Sequence, residues 1–191
     1  FIVGVKAPME LWALAVDKVR YVGEPVAVVV AQSRYIAEDA LELLEADYES
    51  LPPVTDIRAA IAEGAPVLHE KVGSNVVSDR SFRYGDPEQA FASAPHRVAL
   101  TVEYPRNSCT PIECAVVVAE FLCEDDGYDV QSNFMGPFSL HTVMAMALKV
   151  PGNKLRHRTF PDSGGSFGVK QAVLNPAVLM CLAARKVGAP V

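Results

Sequence analysis

The sequence has few of the residues from which metal clusters and nucleic-acid-binding surfaces are built. Its four cysteines form no C-x-x-C pair, which argues against a structural zinc site, a redox dithiol or a protein-bound iron–sulfur cluster. Its four histidines are scattered, without a ligand spacing. The formal net charge of -6 gives no indication of a surface that binds nucleic acid. We interpret the cysteines as free, buried thiols in a reducing compartment, which favours a cytoplasmic location.

The sequence also lacks any apolar run near the ~20 residues that a membrane span requires. The longest strand-like apolar run covers only residues 26–31 and predicts a buried strand. The first residue is Phe1 rather than Met, and no signal peptide is visible. The last residues, from Gly188 to Val191, are typical of a helix stop followed by the start of a strand. We therefore expect a piece of a longer polypeptide.

Half of the 191 residues are hydrophobic, which is enough for the core of one large domain or two small ones. A strand at 26–30, a helix with Ser33 as its N-cap and a short strand at 47–49 predict a small α+β unit over residues 1–65. Residues 66–90 lack apolar periodicity and predict an inter-domain linker. A short helix is expected to begin near the end of this segment, with Asp86 as N-cap and Pro87 at its first position.

A second unit over residues 91–191 is predicted from alternating strands and helices. The strands are expected at 98–104, 115–121, 128–132 and 155–160, and the turn Asp126-Gly127 joins the second and third as a hairpin. One helix is expected after Gly136-Pro137, and another is expected to be capped by Asn175 and ended by Gly188. The fold class predicted for the chain is therefore α+β.

The segment from Phe160 to Lys170 is the most distinctive part of the sequence, because three glycines crowd between a predicted strand and a predicted helix. Backbone without Cβ atoms can approach a ligand closely, and such a turn presents several N–H groups to an oxygen-rich or anionic ligand. The same spacing is also typical of an ordinary tight turn, and spacing alone does not decide between the two. The spacing matches neither the P-loop nor the dinucleotide-binding fingerprint.

Three stretches, in order and at similar spacing, resemble the large subunit of the molybdenum hydroxylases, the family of xanthine dehydrogenase, aldehyde oxidase and aerobic carbon monoxide dehydrogenase. They are Val19 to Ala27, the helix and turn from Gly136 to Asn153, and the GGxFG-x-K-like loop from Asp162 to Lys170. The resemblance implies an α/β hammerhead domain at 1–65, a linker at 66–90 and the first part of a mixed α+β molybdopterin-binding domain at 91–191.

The resemblance also implies a function. The family's enzymes hydroxylate an aldehyde, an N-heterocycle or a similar small substrate with oxygen from water. The implied cofactor is molybdenum-molybdopterin, in its cytosine dinucleotide form. Electrons would pass to partner subunits that carry FAD and a [2Fe-2S] cluster in a hetero-oligomer. The family's catalytic glutamate would lie beyond Val191, so the resemblance implies no catalytic residue in this stretch, which alone would be inactive.

By the same resemblance, the cofactor-binding residues are Gly164, Gly165, Ser166, Phe167 and Gly168, with the Gly168 region donating to an oxo ligand and Phe167 forming a wall on the substrate side. No side chain would bind the metal, which would be held through the pterin.

Three departures from the family pattern limit these expectations. Ser166 replaces a third glycine, and Met135 stands where a hydrogen-bonding Gln is usual, so Met135 is expected only to line the pocket. Gln171 replaces an acidic residue of the xanthine-type members, which argues against a xanthine-type substrate and favours the carbon monoxide dehydrogenase-like branch. For Glu113 and Lys170, structural roles are favoured over contacts with the cofactor.

Two alternative functions stay open at this point. The chain could be a nucleotide-binding module that uses the glycine-rich loop for a diphosphate. It could also be a non-catalytic interaction domain, because the first unit contains no candidate catalytic cluster.

Overall fold

The computed structural model describes residues 9–105, 107, 109–172 and 174–191, without the side chains of residues 171–174. Two compact units are present: one joins Leu11–Leu51 to Cys109–Val191, and the other contains the described residues of 2–10 and 52–108. The α-helices are α1 (Arg34–Leu41), α2 (Pro87–Ser93), α3 (Pro137–Leu148), α4 (Val169–Ala172) and α5 (Leu174–Val187). The strands are β1 (Val117–Leu122), β2 (Gly127–Ser132) and β3 (Leu155–Thr159), and short 3-10 helices cover Ala59–Ile61 and Gly152–Lys154.

The three strands form a mixed sheet in the order β1-β2-β3. The turn at Asp126, whose φ is +47°, connects β1 to β2 as an antiparallel hairpin. Strand β3 pairs in parallel with β2, after a crossover through α3. The outer edge of β1 is bonded to the last residue, since Val191 and Ala119 exchange backbone hydrogen bonds of 2.8 and 2.9 Å.

The core lies between the sheet and the helices α3 and α5. Tyr128 and Val130 of β2 are buried against Met144 of α3 and Cys181 of α5. All four cysteines are free, as the sequence predicts, but only Cys181 is buried, so the expectation of buried thiols is wrong for Cys109, Cys114 and Cys123. Burial raises the pKa of the Cys181 thiol to about 12.

Local signals in the sequence predict the helix starts well. Ser33 caps α1 by accepting a hydrogen bond from the Ile36 N–H at 3.3 Å. Asp86 caps α2 by accepting from the Gln89 N–H at 3.1 Å, with Pro87 at the first helical position. The prediction for Asn175 is wrong, because α5 already begins at Leu174. The helix expected directly after the glycine-rich loop is observed as α4.

The predicted buried strand at 26–30 and the predicted half-buried strand at 98–104 are not strands in the structure. Residues 26–30 and 98–104 have no ladder partner among the described residues, and Val28, Val98 and Leu100 are exposed. The short strand expected at 47–49 is also absent from the described secondary structure. The apolar pattern predicts which face of an extended segment can be buried, but a strand also needs a neighbour to pair with. Among the described residues, no helix is long and apolar enough to cross a membrane.

Candidate cofactor-binding loop

The sheet brings three distant segments together at one edge. Strands β2 and β3 are parallel, so the residues that follow each of them leave the sheet on the same side. Strand β1 is antiparallel to β2, so the residues that precede it start from that side too. A hydrogen bond of 3.3 Å from the Phe160 N–H to the Ser132 carbonyl joins two of these segments directly. The glycine-rich loop, which follows β3, therefore lies beside the segments 113–116 and 133–135.

The carboxylate of Glu113 holds the beginning of the glycine-rich loop. Its Oε2 atom accepts a hydrogen bond from the Gly164 N–H at 2.9 Å. Its Oε1 atom lies 2.6 Å from Nζ of Lys170, so the two side chains form an ion pair. Lys170 is buried, with only 1% of its surface exposed. The structural role favoured for Glu113 and Lys170 is thus observed as an ion pair that crosses the loop.

Asn133 is a buried residue of this network that the sequence reasoning missed. Its Nδ2 atom donates to Glu113 Oε1 at 2.6 Å and to the Cys114 carbonyl at 2.8 Å. Its Oδ1 atom accepts from the Val116 N–H at 2.9 Å. An Asn after a strand is common, and only the folded arrangement brings it to a glutamate 20 residues earlier in the chain.

Ser166 holds the other end of the loop. Its buried hydroxyl oxygen accepts hydrogen bonds from the Gly168 N–H at 3.2 Å and the Lys170 N–H at 3.1 Å. The Ser166 carbonyl accepts from the Val169 N–H at 3.0 Å. A third glycine at this position would lack the hydroxyl, so the serine fixes the turn into α4 rather than merely tolerating it.

The middle of the loop keeps its backbone donors available. Among the described residues, no hydrogen bond uses the N–H groups of Gly165, Ser166 or Phe167, whereas the flanking amides of Gly164 and Gly168 are both bonded. Successive unbonded N–H groups in a turn form a concave, electropositive surface that suits an anionic or oxygen-rich group.

Phe167 and Gly168 complete the turn with left-handed backbone angles, φ +48° and +94°. Positive φ is ordinary for glycine and uncommon for phenylalanine. The Phe167 ring is 75% exposed, so it is not a core anchor for the loop.

Two further residues, Met135 and Gln171, are predicted to line the substrate pocket. Met135 is 53% exposed, and its N–H donates to the Lys170 carbonyl at 3.3 Å, so the structure brings Met135 beside the loop. Gln171 lies in α4, but its side chain is outside the described part of the structure. A groove of about 440 Å³ runs along α3 from His141 to Gly152 and includes no residue of the loop.

Hydrogen bonding keeps Glu113 ionised over a wide pH range. The Lys170 ammonium, the Gly164 amide and the Asn133 amide lower the pKa of the Glu113 carboxyl to about 2. Partial burial acts in the opposite direction and is outweighed. Among the described residues, no group of His, Cys, Asp and Glu side chains is arranged to hold a metal ion directly.

The lowered pKa predicts how stability depends on pH. Because the folded state holds Glu113 ionised, its contribution is fully present above the unfolded pKa near 4.5 and is lost as the pH falls toward about 2. We expect the melting temperature of the wild type to fall more steeply over this interval than that of Glu113→Gln, which has no proton to gain. Melting curves from pH 6 down to about pH 3 measure the difference, and parallel curves would contradict the assignment.

Two family models match this chain. Residues 68–191 match the molybdopterin cofactor-binding domain, and residues 3–52 match the α/β hammerhead domain of aldehyde oxidase and xanthine dehydrogenase. The chain therefore belongs to the family of molybdopterin-binding large subunits that includes xanthine dehydrogenase and carbon monoxide dehydrogenase.

Individual relatives agree with this membership. The nicotine 6-hydroxylase large subunit of Paenarthrobacter nicotinovorans is 34% identical over 96% of this chain and 22% of its own length. The carbon monoxide dehydrogenase large chain of Hydrogenophaga pseudoflava is 32% identical over 93% of this chain and 24% of its own. The solved quinoline 2-oxidoreductase from Pseudomonas putida 86 superposes with a TM-score of 0.86 at 34% identity, over 98% of this chain and 24% of its own.

The chain spans about a quarter of the length of these relatives. The predicted family and the fold class, with its hammerhead and molybdopterin-binding parts, are confirmed. These matches do not favour the alternatives of a nucleotide-binding or interaction module.

Proposed function

We propose that residues 164–168 bind the oxygen-rich face of a molybdenum-molybdopterin cofactor in an oxidoreductase of the molybdenum hydroxylase type. The observation that carries the proposal is the set of N–H groups from Gly165 to Phe167, which have no acceptor among the described residues and lie between the bonded amides of Gly164 and Gly168. The match of residues 68–191 to the molybdopterin cofactor-binding domain supports the same assignment.

The residues present fit such a group. Donors aimed at a compact acceptor need backbone without obstructing side chains, and the loop has glycine at 164, 165 and 168. A methyl group at Gly164 would lie only 3.0 Å from Glu113 atoms, so the close approach of backbone to carboxylate here needs glycine. No side-chain ligand to the metal is required, because the family's cofactor holds its metal through the pterin.

When bound, the molybdenum cofactor accepts an electron pair from the substrate while oxygen from water enters a C–H bond. The loop's residues would bind and orient it. The donors would be the amides of 165–167 rather than that of Gly168, which the sequence favours but which donates to Ser166 Oγ at 3.2 Å. Phe167, whose exposed ring projects from this turn, would line the substrate side together with Met135. Gln171 would contribute a neutral hydrogen-bonding group, which supports an aldehyde or N-heterocycle rather than a xanthine-type substrate.

The finer features of the proposal come from the resemblance. They are the cytosine dinucleotide form of the pterin, transfer of electrons to FAD and [2Fe-2S] partner subunits, and a cytoplasmic location. The relatives' names describe them as subunits or chains, which supports a hetero-oligomer. The domain boundaries at 1–65, 66–90 and 91–191 stay a prediction of the same kind.

Metal analysis of the full-length protein tests the proposal. We expect about one molybdenum atom per large subunit after purification from cells supplied with molybdate, and release of a pterin on acid denaturation. Cytidine monophosphate released by mild hydrolysis would identify the dinucleotide form. Full-length protein that is folded but contains neither molybdenum nor pterin would overturn the assignment.

A further inference from the structure

We propose that Glu113 is a positioning residue for the cofactor, because its carboxylate closes the glycine-rich loop into a ring that aims the free amides. This role rests on the proposed function of the loop. Neither the family matches nor the names of the relatives assign any role to Glu113, Lys170 or Asn133.

The two carboxylate oxygens of Glu113 have separate partners at the two ends of the loop. Oε2 accepts from the Gly164 N–H at 2.9 Å, and Oε1 lies 2.6 Å from Lys170 Nζ. The chain from Gly164 to Lys170 is thereby bridged through one side chain. Asn133 Nδ2, also 2.6 Å from Oε1, restrains the carboxylate further.

Lys170 is fixed at its backbone as well as at its ammonium group. Its N–H donates to Ser166 Oγ at 3.1 Å, and its carbonyl accepts from the Met135 N–H at 3.3 Å. The side chain has no exposed area, so it cannot follow a displaced carboxylate through solvent. Lys170 is therefore held in place at the C-terminal end of the loop. Because Glu113 is bonded to both Lys170 and Gly164, it restrains the position of Gly164 as well.

The ring explains which amides stay free. Gly164 is bonded to Glu113, and Gly168 is bonded to Ser166. The three N–H groups between them are held at both ends but use no acceptor of their own among the described residues. The lysine also neutralises the carboxylate, so the loop does not present an unpaired negative charge to an anionic ligand.

An amide cannot replace the carboxylate in this arrangement. Glutamine has one acceptor oxygen, and its NH₂ group would face a donor, either the Gly164 N–H or the pair Lys170 and Asn133. Glu113→Gln therefore removes one anchor of the loop and leaves Lys170 without its counter-charge. Glu113→Gln with Lys170→Met restores the charge balance but does not restore an oxygen for both ends.

The test compares these two variants with the wild type in the full-length protein. The matched control is Glu120→Gln, the same chemical change at an exposed glutamate of β1. Three quantities are measured: molybdenum retained per subunit after dialysis, the melting temperature, and the electron paramagnetic resonance spectrum of the partly reduced protein.

If Glu113 positions the cofactor, molybdenum retention and melting temperature should not change together across the variants. We expect Glu113→Gln to retain about tenfold less molybdenum, with an altered spectrum from the remainder. The double variant is expected to regain melting temperature, because no buried charge is left unpaired, but not molybdenum retention or the spectrum. Glu120→Gln is expected to match the wild type in all three measurements.

The outcomes that overturn the role differ from those that overturn the function. If the wild type retains molybdenum and Glu113→Gln does so equally, with the same spectrum, the positioning role is wrong and the proposed function stands. If the double variant recovers both molybdenum retention and melting temperature, Glu113 and Lys170 form a purely structural ion pair and the positioning role is wrong. A folded wild type without molybdenum overturns the proposed function, and the role of Glu113 with it.

Discussion

Replacing Gly164 with alanine is expected to lower the molybdenum retained by the full-length protein about tenfold, the effect of losing one charge-assisted hydrogen bond. The new Cβ would lie 3.0 Å from both Cβ and Oε2 of Glu113. That side chain has little freedom to move, because Lys170 and Asn133 hold its other oxygen. The loop must shift instead, and the free amides after Gly164 shift with it.

Gly165→Ala provides the matched control for folding. A Cβ at Gly165 meets only the Phe167 ring, at an ordinary contact distance of 3.7 Å. We expect its melting temperature to equal that of the wild type, while Gly164→Ala melts lower. If Gly164→Ala retains molybdenum as well as the wild type, the close approach of Gly164 to Glu113 has no part in cofactor binding.

Replacing Gly127 with alanine is expected to destabilise the sheet by about 2–3 kcal/mol, the upper range for overpacking in a tight interior. The added Cβ would lie 2.5 Å from the backbone carbonyl oxygen of Lys154, just before β3. A backbone atom next to a paired strand cannot rotate away as a side chain can, so β2 and β3 would have to separate.

The shift of the urea midpoint at unchanged m value measures this loss of stability. Gly152→Ala is the control, since its Cβ would meet only the end of the His141 side chain, at 3.2 Å. It is expected to cost about 1 kcal/mol or less. Equal effects at the two positions would mean that β2 and β3 can move apart more easily than their packing indicates.

The sequence predicts those parts of the fold that depend on neighbouring residues. The caps at Ser33 and Asp86 and the hairpin at Asp126 are local, because each is decided within about four residues along the chain. The segments 26–30 and 98–104 are predicted wrongly, because strand pairing is not decided by neighbouring residues. Their apolar residues predict strands, but a strand needs a partner, which can lie anywhere along the chain. Neither segment has a strand partner among the described residues.

In the candidate site, too, the sequence predicts the local feature but not the long-range contacts. Glycine spacing identifies the loop, because the chemistry of a bare backbone is visible in the sequence itself. The residues that hold the loop are not visible there, since Glu113 lies 51 residues before Gly164 and 57 before Lys170. Asn133 had no distinguishing spacing at all. Only the antiparallel pairing of β1 and β2 brings it to the carboxylate.

The pairing of Val191 with Ala119 has a consequence for self-association. An open strand edge is a template on which a second molecule can add a strand, and natural sheets avoid leaving it bare. Here the backbone donor and acceptor of Ala119 are already used by Val191, so β1 cannot accept a foreign strand at its centre. At the opposite edge of the sheet, β3 carries Arg156 and Arg158, whose exposed side chains form ion pairs with Asp129 of β2. Charged side chains on an edge strand are one of the devices by which natural sheets avoid pairing with a second copy.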